Sequence, residues 1–509
     1  MSRIDLVIPP LAFNAVPNHG VAQLKSHMEA QGHEVAIKDL DKELYVPEIL
    51  DELRSHYLDR VEIESVLSMP TYPTLAGLFY PPDQVGDVVK TLIADECLYD
   101  GEELESYVDK VMSSHTAKAI EAGHKRWMRE ILDDGADIVA ISVGWQSALP
   151  SALRLARDLK SERPDLFVIA GGFMVHDVIR GLERIPWIDC LVVGEGEVAF
   201  AGVVDELKGG KAPPKVVDGK PLHIDNLPFP DFDGFDLSKY RHVLPSTFSR
   251  GCIYRCKFCF ERSFWPVYRR RKPETIVAEM KHSIDKFGCD QFFFTDSLVN
   301  GDITTLNRTC DMIMDEGIDA FWGGQASTRK MTKETLKNMA AAGAGALYYG
   351  VESASKRMIE RMGKGTDIDF ITDILRESWE AGIWTLTYWI FGFPGEAKED
   401  IEEDFRFLEL NRDHVGTAVY HRFELLRGSE VHANHEKYGV HPVADPRLER
   451  IRELRLSAPF EVERGMTYRA SLEQEIYART LFNRNNRFTM FPPFTREEFE
   501  AFKAKKIAA

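Results

Sequence analysis

Three cysteines crowd into one short stretch, SRGCIYRCKFCFER at residues 249–262, where three residues separate Cys252 from Cys256 and two separate Cys256 from Cys259. Thiolates at such spacing hold soft metal centres. A structural zinc site would want a second cysteine or histidine pair, and none follows. A redox dithiol would need only two of the three thiols. A four-iron cluster offers four ligand positions and is ordinarily held by cysteines. Three thiolates therefore leave one iron open to bind and activate a second molecule, as the open position of a catalytic zinc does. The other cysteines, Cys97, Cys190, Cys289 and Cys310, are scattered and read as core residues. Seven in a chain of 509 residues suit a reducing compartment better than a disulfide framework.

Such a loop needs stiff elements on either side. From residue 244 the chain alternates predicted strands, at 246–251, 291–296, 321–327, 346–353, 385–396 and 417–423, with amphipathic helices at 273–287, 302–316, 331–342, 367–381 and 397–411. Six such repeats predict an open, partial (β/α)6 barrel of the TIM type over 244–428, with its chemistry at the C-terminal strand ends. Ahead of it, continuous Val/Ile runs at 4–8, 34–39, 137–144, 166–172 and 189–197 end in glycines. They predict parallel strands buried on both faces, hence an α/β, doubly wound, Rossmann-like domain over 1–215. An acidic, largely helical insertion at about 42–130, including PTYPTLAGLFYPP at 70–82, is placed to cap that domain or simply to pack on it. Residues 216–243 read as a linker by their Pro and Gly content. Residues 429–509 read as a mainly helical C-terminal extension without a motif.

The triplet with Phe258 before its last cysteine resembles the signature of the radical S-adenosylmethionine (SAM) superfamily. The resemblance implies that Cys252, Cys256 and Cys259 are metal ligands to a [4Fe–4S] cluster. Its open iron chelates the amino and carboxylate groups of SAM, and an electron from the cluster cleaves the sulfonium to a 5′-deoxyadenosyl radical. It further implies cofactor contacts at Phe258, and at Asp296 and Asn300 of FFFTDSLVN, near the methionyl end of SAM. Glu352 of YYGVESAS, with Ser353 and Ser355, falls near the ribose, and the turn from Gly392 to Glu396 in FGFPGE near the adenosyl moiety. One departure is GGQASTRK: where relatives commonly carry an Arg soon after the Gln of the third strand, this chain has Gln325 and then Arg329.

Upstream, DIVAISVGWQS, VIAGGFMVHD and DCLVVGEGEVAF resemble the cobalamin-binding domain fused ahead of the barrel in the cobalamin-dependent branch. By that likeness Ser142, Gly171, Gly172, Gly194, Glu195 and Gly196 are candidate cobalamin contacts. A residue without Cβ also lets backbone approach a flat macrocycle. The Asp-x-His-x-x-Gly motif of some cobalamin proteins is absent, so a base-off cobalamin without a histidine ligand is expected; His19 and His176 sit in loops that could approach the corrin.

Together these cofactors imply an enzyme. In the expected reaction the cobalt takes a methyl group from one SAM and delivers it to carbon, while a radical from a second SAM removes a hydrogen from the acceptor. The expected function is a cobalamin-dependent radical SAM C-methyltransferase, acting through methylcobalamin on a metabolite or natural-product precursor. The alternatives are a cyclase or rearrangement enzyme without methyl transfer, and a non-catalytic cobalamin- or cluster-binding regulator. No catalytic side chain stands out. Expected partners are a small-molecule or peptide substrate and an external electron donor of flavodoxin or ferredoxin type. A net charge of -18 argues against nucleic acid, and the one basic run, YRRRKP at 268–273, reads as a solvated arm before a helix at Pro273. No apolar run is long enough for a bilayer, and the N-terminus lacks a signal-peptide layout, so a cytoplasmic protein without membrane partners is expected.

Overall fold

The computed structural model describes residues 1–10, 16–43, 117–144, 148–177, 179–443, 457–458, 460–465, 495–497 and 499–501. The bulk of the expected insertion, including PTYPTLAGLFYPP, lies outside the described residues, as does Cys97. The described chain divides into two compact units. One comprises residues up to 222 together with 227–239; the other comprises 223–226, 240–443 and the described residues from 457 onward.

The first unit is one parallel sheet of β1 (Arg3–Ile8), β2 (Glu34–Asp39), β3 (Ile138–Ser142), β4 (Phe167–Gly171), β5 (Cys190–Gly194) and β6 (Val216–Gly219), in the order β2-β1-β3-β4-β5-β6. The order reverses between β1 and β3, which places the ligand crevice of a doubly wound sheet at the C-terminal ends of those strands. Helices α1 (His19–Glu29), α2 (Ala117–Asp134), α3 (Leu149–Glu162) and α4 (Gly196–Lys208) make the crossovers. Asn18 starts α1 by accepting the Val21 N–H at 3.0 Å. Val7, Val139, Ile141, Val168 and Leu191 of the strands pack with Trp127 and Ile131 of α2 and Leu153 and Leu159 of α3. That cover is why the strands are apolar runs rather than alternating ones. β6, expected to lie in the linker, is instead the sixth strand, paired to β5. Gly219 permits it, since a Cβ there would sit 1.9 Å from the carbonyl oxygen of Glu195.

In the second unit the strands β7 (Leu244–Ser246), β10 (Gln291–Phe294), β11 (Phe321–Ala326), β12 (Ala344–Glu352), β13 (Trp384–Phe391) and β14 (Thr417–Arg422) are all parallel and lie side by side in sequence order. This is the six-stranded open barrel. Its crossovers include α5 (Pro273–Phe287), α6 (Ile303–Asp315), α7 (Lys333–Ala341), α8 (Lys356–Met362), α9 (Ile368–Glu380) and α10 (Lys398–Leu410). Side chains alternate as the pleat requires. Trp322, Tyr349 and Trp389 face the helices, with Tyr349 bonded to Ser378 of α9 and Trp389 packed on Phe407 of α10. Phe321, Ala346, Tyr348, Trp384 and Leu386 form the opposite, concave face, which Phe499 joins from the C-terminal segment.

The first strand is shorter than expected and ends at Ser246. Residues Ser249–Arg250 (β8) instead form a small antiparallel ribbon with Arg269–Arg270 (β9). The basic run is therefore only partly a solvated arm. Arg271 is buried, with its guanidinium 2.8 Å from Glu279 of α5 and 3.0 Å from the Thr247 carbonyl. The described part of the C-terminal extension mixes helical turns with short strands: Ser457–Ala458 pairs with Leu425–Leu426, and Phe460–Val462 with Val440–Pro442. Among the described residues no helix is long and apolar enough to cross a membrane.

Candidate cluster and cofactor sites

The cysteine loop leaves β8 at Gly251, whose φ is +87° and where a Cβ would lie 3.0 Å from the Val267 carbonyl oxygen. Only glycine fits that turn without strain. The loop is then pinned from two sides: the Lys257 N–H donates to Met362 at the end of α8 (2.9 Å), and the Lys257 carbonyl accepts from Val431 (3.0 Å). Within it, Cys259 N–H donates to Cys256 O at 3.2 Å. All three cysteines are partly exposed. Burial raises the Cys252 thiol and pushes Cys259 up to about 12, which favours the protonated form of these two in the protein alone. A bound metal removes such protons outright. Among the described residues no three His, Cys, Asp or Glu side chains converge on a single ion.

The turns around the loop hold its shape. Asp296, expected near the methionyl end of SAM, is buried with its carboxylate accepting from Phe248 N (2.8 Å), Ser249 Oγ (2.6 Å) and Ser249 N, the backbone that leads to Cys252. Burial pushes that carboxyl up to about 7. Asn300 uses both ends of its amide on Ser327, donating to its carbonyl at 2.7 Å and accepting its N–H at 2.9 Å. Ser353 donates to Asp404 at 2.8 Å, and Ser355 to Asp400 at 2.6 Å. Gly392, at φ +79°, donates its N–H to Glu396 at 2.6 Å, which closes the FGFPGE turn. Burial raises the Glu396 carboxyl well above the usual range. Phe258 and Glu352 differ from these, because both adjoin a buried cation, Lys364.

Lys364 carries no signal in the sequence beyond its place between two glycines in RMGKGTD. Gly363 ends α8 in the left-handed conformation, and Lys364 N–H returns to Ile359 O at 3.0 Å, so the helix cap aims the side chain. Its ammonium lies 3.1 Å from Glu352 Oε1 and 6.0 Å from the Phe258 ring. Burial works against its charge, but the Glu352 carboxylate, with Cys256 nearby, outweighs that and raises its proton affinity. On the same concave face Gln325 is exposed near the end of β11, and Tyr388 of β13 feels the Glu352 charge.

In the first unit, Ser142, Gly171, Gly172 and Gly194 are partly exposed at the C-terminal ends of strands that are otherwise largely buried, while Glu195 is buried and Gly196 begins α4. The reason for two of the glycines is packing of the chain on itself. A Cβ on Gly172 would stand 2.8 Å from Val143 O, and one on Gly194 2.7 Å from Gly219 O. At Gly144, two residues beyond β3, a Cβ would meet no atom among the described residues. His19 begins α1 and His176 lies in the turn Phe173–Asp177.

Comparison with known proteins matches the Radical SAM superfamily over residues 246–408 and the B12 binding domain over 113–204. The chain is a cobalamin-dependent radical SAM protein. Its radical SAM domain uses a [4Fe–4S] cluster and SAM, and its B12-binding domain uses cobalamin. Both sets of residues fit: three partly exposed thiols on one pinned loop in one unit, and partly exposed glycines at strand ends in the other. The radical SAM protein is 29% identical to an uncharacterized methyltransferase, PH0819, of Pyrococcus horikoshii, over 53% of this chain and 63% of that one. It is 26% identical to an anaerobic magnesium-protoporphyrin IX monomethyl ester cyclase of Cereibacter sphaeroides, over 56% of this chain and 51% of that one. The chain thus spans less than two thirds of either relative's length. Its fold matches a solved radical SAM methyltransferase, TsrM from Kitasatospora setae with cobalamin and [4Fe–4S] cluster bound, at 14% identity and a TM-score of 0.64, with both chains fully covered.

Proposed function

We propose that this radical SAM protein is a C-methyltransferase that places a methyl group on a carbon of a small metabolite or natural-product precursor. When bound, the cluster and SAM supply a radical that removes a hydrogen atom, and cobalamin supplies the carrier of the methyl group. The chain's own contribution is placement. The pinned loop holds three thiols with one side open, Glu352 and Lys364 offer paired charges beside it, and Asp296 and Asn300 fix the backbone around it. Phe258, Glu352, Ser353 and Gly392 are the proposed surround of SAM; Ser142, Gly171, Gly172, Gly194, Glu195 and Gly196 are the proposed surround of cobalamin. An external flavodoxin- or ferredoxin-type protein is the proposed electron donor.

The observation that carries the reading is the coexistence of the open thiol triplet and a B12-binding domain in one chain, with a methyltransferase among its relatives. The similarity to a cyclase favours one second reading, ring formation without methyl transfer. Anaerobically reconstituted protein given SAM with an isotopically labelled methyl group distinguishes the two. Methyl transfer predicts label in the product with both S-adenosylhomocysteine and 5′-deoxyadenosine released. Product without label and without S-adenosylhomocysteine would overturn it.

A further inference from the structure

Two cations close on the cysteine loop, one from the segment after β11 and one from the cap of α8. Arg329 follows β11, and its guanidinium carbon lies 3.3 Å from the centre of the Tyr254 ring, between Cys252 and Cys256. At that distance dispersion and the ring quadrupole both hold the guanidinium in place. The backbone beneath it is fixed as well. Arg329 N–H donates to Ser327 Oγ at 3.2 Å, Ser327 is clamped by Asn300, and Lys330 is held at φ +61°. Lys330 and Glu352 are the two non-glycine residues of positive φ among the described residues. Glu352 ends β12, and Lys330 lies four residues beyond the end of the neighbouring β11; such strain is usually kept for function. Gly365 leaves room, since a Cβ there would be 3.3 Å from Arg329 Nη1.

The charges do not cancel. Lys364 is paired with Glu352, whereas no carboxylate ion-pairs with Arg329 among the described residues. Arg329 and Cys256 both act electrostatically on Lys364, so these three groups are neighbours. Both cations thus lie beside the loop that carries the thiols, one against the Tyr254 ring and the other 6.0 Å from the Phe258 ring.

We infer that Arg329 is a positioning residue that fixes the cysteine loop through Tyr254 and, with Lys364, sets the charge around the cluster so that its one-electron-reduced form is favoured. Reduction adds a negative charge to a centre that three thiolates have already made anionic, and net charge is among the quantities that set cluster potentials. No bond forms or breaks in this step; the electron comes from the external donor. The inference rests on the cluster assignment and not on methyl transfer, so failure of product formation would leave its outcome unchanged.

The test is a potentiometric titration of the full-length, cluster-loaded protein without SAM or substrate, with the electron supplied by poised mediators and the reduced cluster read by electron paramagnetic resonance. In Arg329→Gln the ratio of reduced to oxidised cluster at a fixed applied potential falls about tenfold, ~59 mV for a one-electron couple. Arg329→Lys recovers much of the loss, and Tyr254→Phe, which keeps the ring, titrates as the parent does. Lys364→Met shifts in the same direction as Arg329→Gln. A potential unchanged or raised in both Arg329→Gln and Lys364→Met, at full iron and sulfide content, overturns the inference. If Arg329→Gln fails to load a cluster, Lys364→Met decides alone, because it leaves the Tyr254 stack intact.

Discussion

Glu352 and Lys364 meet at 3.1 Å over the bare backbone of Gly350. A Cβ on that glycine would lie 2.4 Å from Glu352 Oε1 and 2.9 Å from Lys364 Nζ. The pair occupies the space a side chain would take, and β12 bulges between Gly350 and Glu352 to allow it. Both side chains are nearly buried, at 13% and 10% exposure for Lys364 and Glu352. Breaking such a pair leaves one charge uncompensated.

Gly350→Ala is therefore expected to push the two charges apart without touching a cysteine. The variant should load a full cluster yet bind SAM at least about tenfold more weakly, with an overpacking cost of ~1–3 kcal/mol in unfolding free energy. Equilibrium binding of SAM alongside iron analysis checks this. SAM affinity equal to the parent's would remove the pair from the proposed SAM site.

Each of Cys252→Ala, Cys256→Ala and Cys259→Ala is expected to lose the brown charge-transfer absorbance of the reconstituted protein, down to the residual of adventitious iron. Reconstitution followed by iron and sulfide assay reads the result. A complete cluster in all three variants would mean that the ligands lie elsewhere.

Asp5 predicts a pH dependence of folding in the first unit. It lies in β1 with neither carboxylate oxygen hydrogen-bonded, and burial, partly offset by Lys38, pushes its carboxyl up to about 6 from an ordinary 3.8. The folded chain thus holds a proton that the unfolded chain has already released. The stabilisation from that proton is complete below the unfolded value of 3.8 and is lost as pH rises through about 6. Asp5→Asn is expected to exceed the parent in stability by on the order of 2 kcal/mol above neutral pH and to match it under acid conditions. Denaturant unfolding at both conditions measures this, and a variant less stable than the parent at neutral pH would show that the carboxylate has a stabilising partner.

Local chemistry made some of this legible. Three thiols within eight residues point to a soft metal centre through their spacing, and strands buried on both faces announce themselves as apolar runs ending in glycine. Pro273 at the start of α5 follows from proline's fixed φ in the same local way. β6 did not show itself, because a strand of four residues is stabilised by its neighbour β5 rather than by its own pattern. Nor did the burial of Arg271, since YRRRKP looks solvated until Glu279, eight positions on, turns back against it.

The cofactor class of this protein was thus written in the sequence, through residue types whose chemistry acts over a few positions. The division of labour inside the site was not. That Asp296 and Asn300 bind their own backbone, that Lys364 rests on Gly350, and that Arg329 stacks on Tyr254 are contacts between residues up to 75 positions apart. Such contacts depend on which strand ends the parallel sheet brings side by side, and only folding decides that.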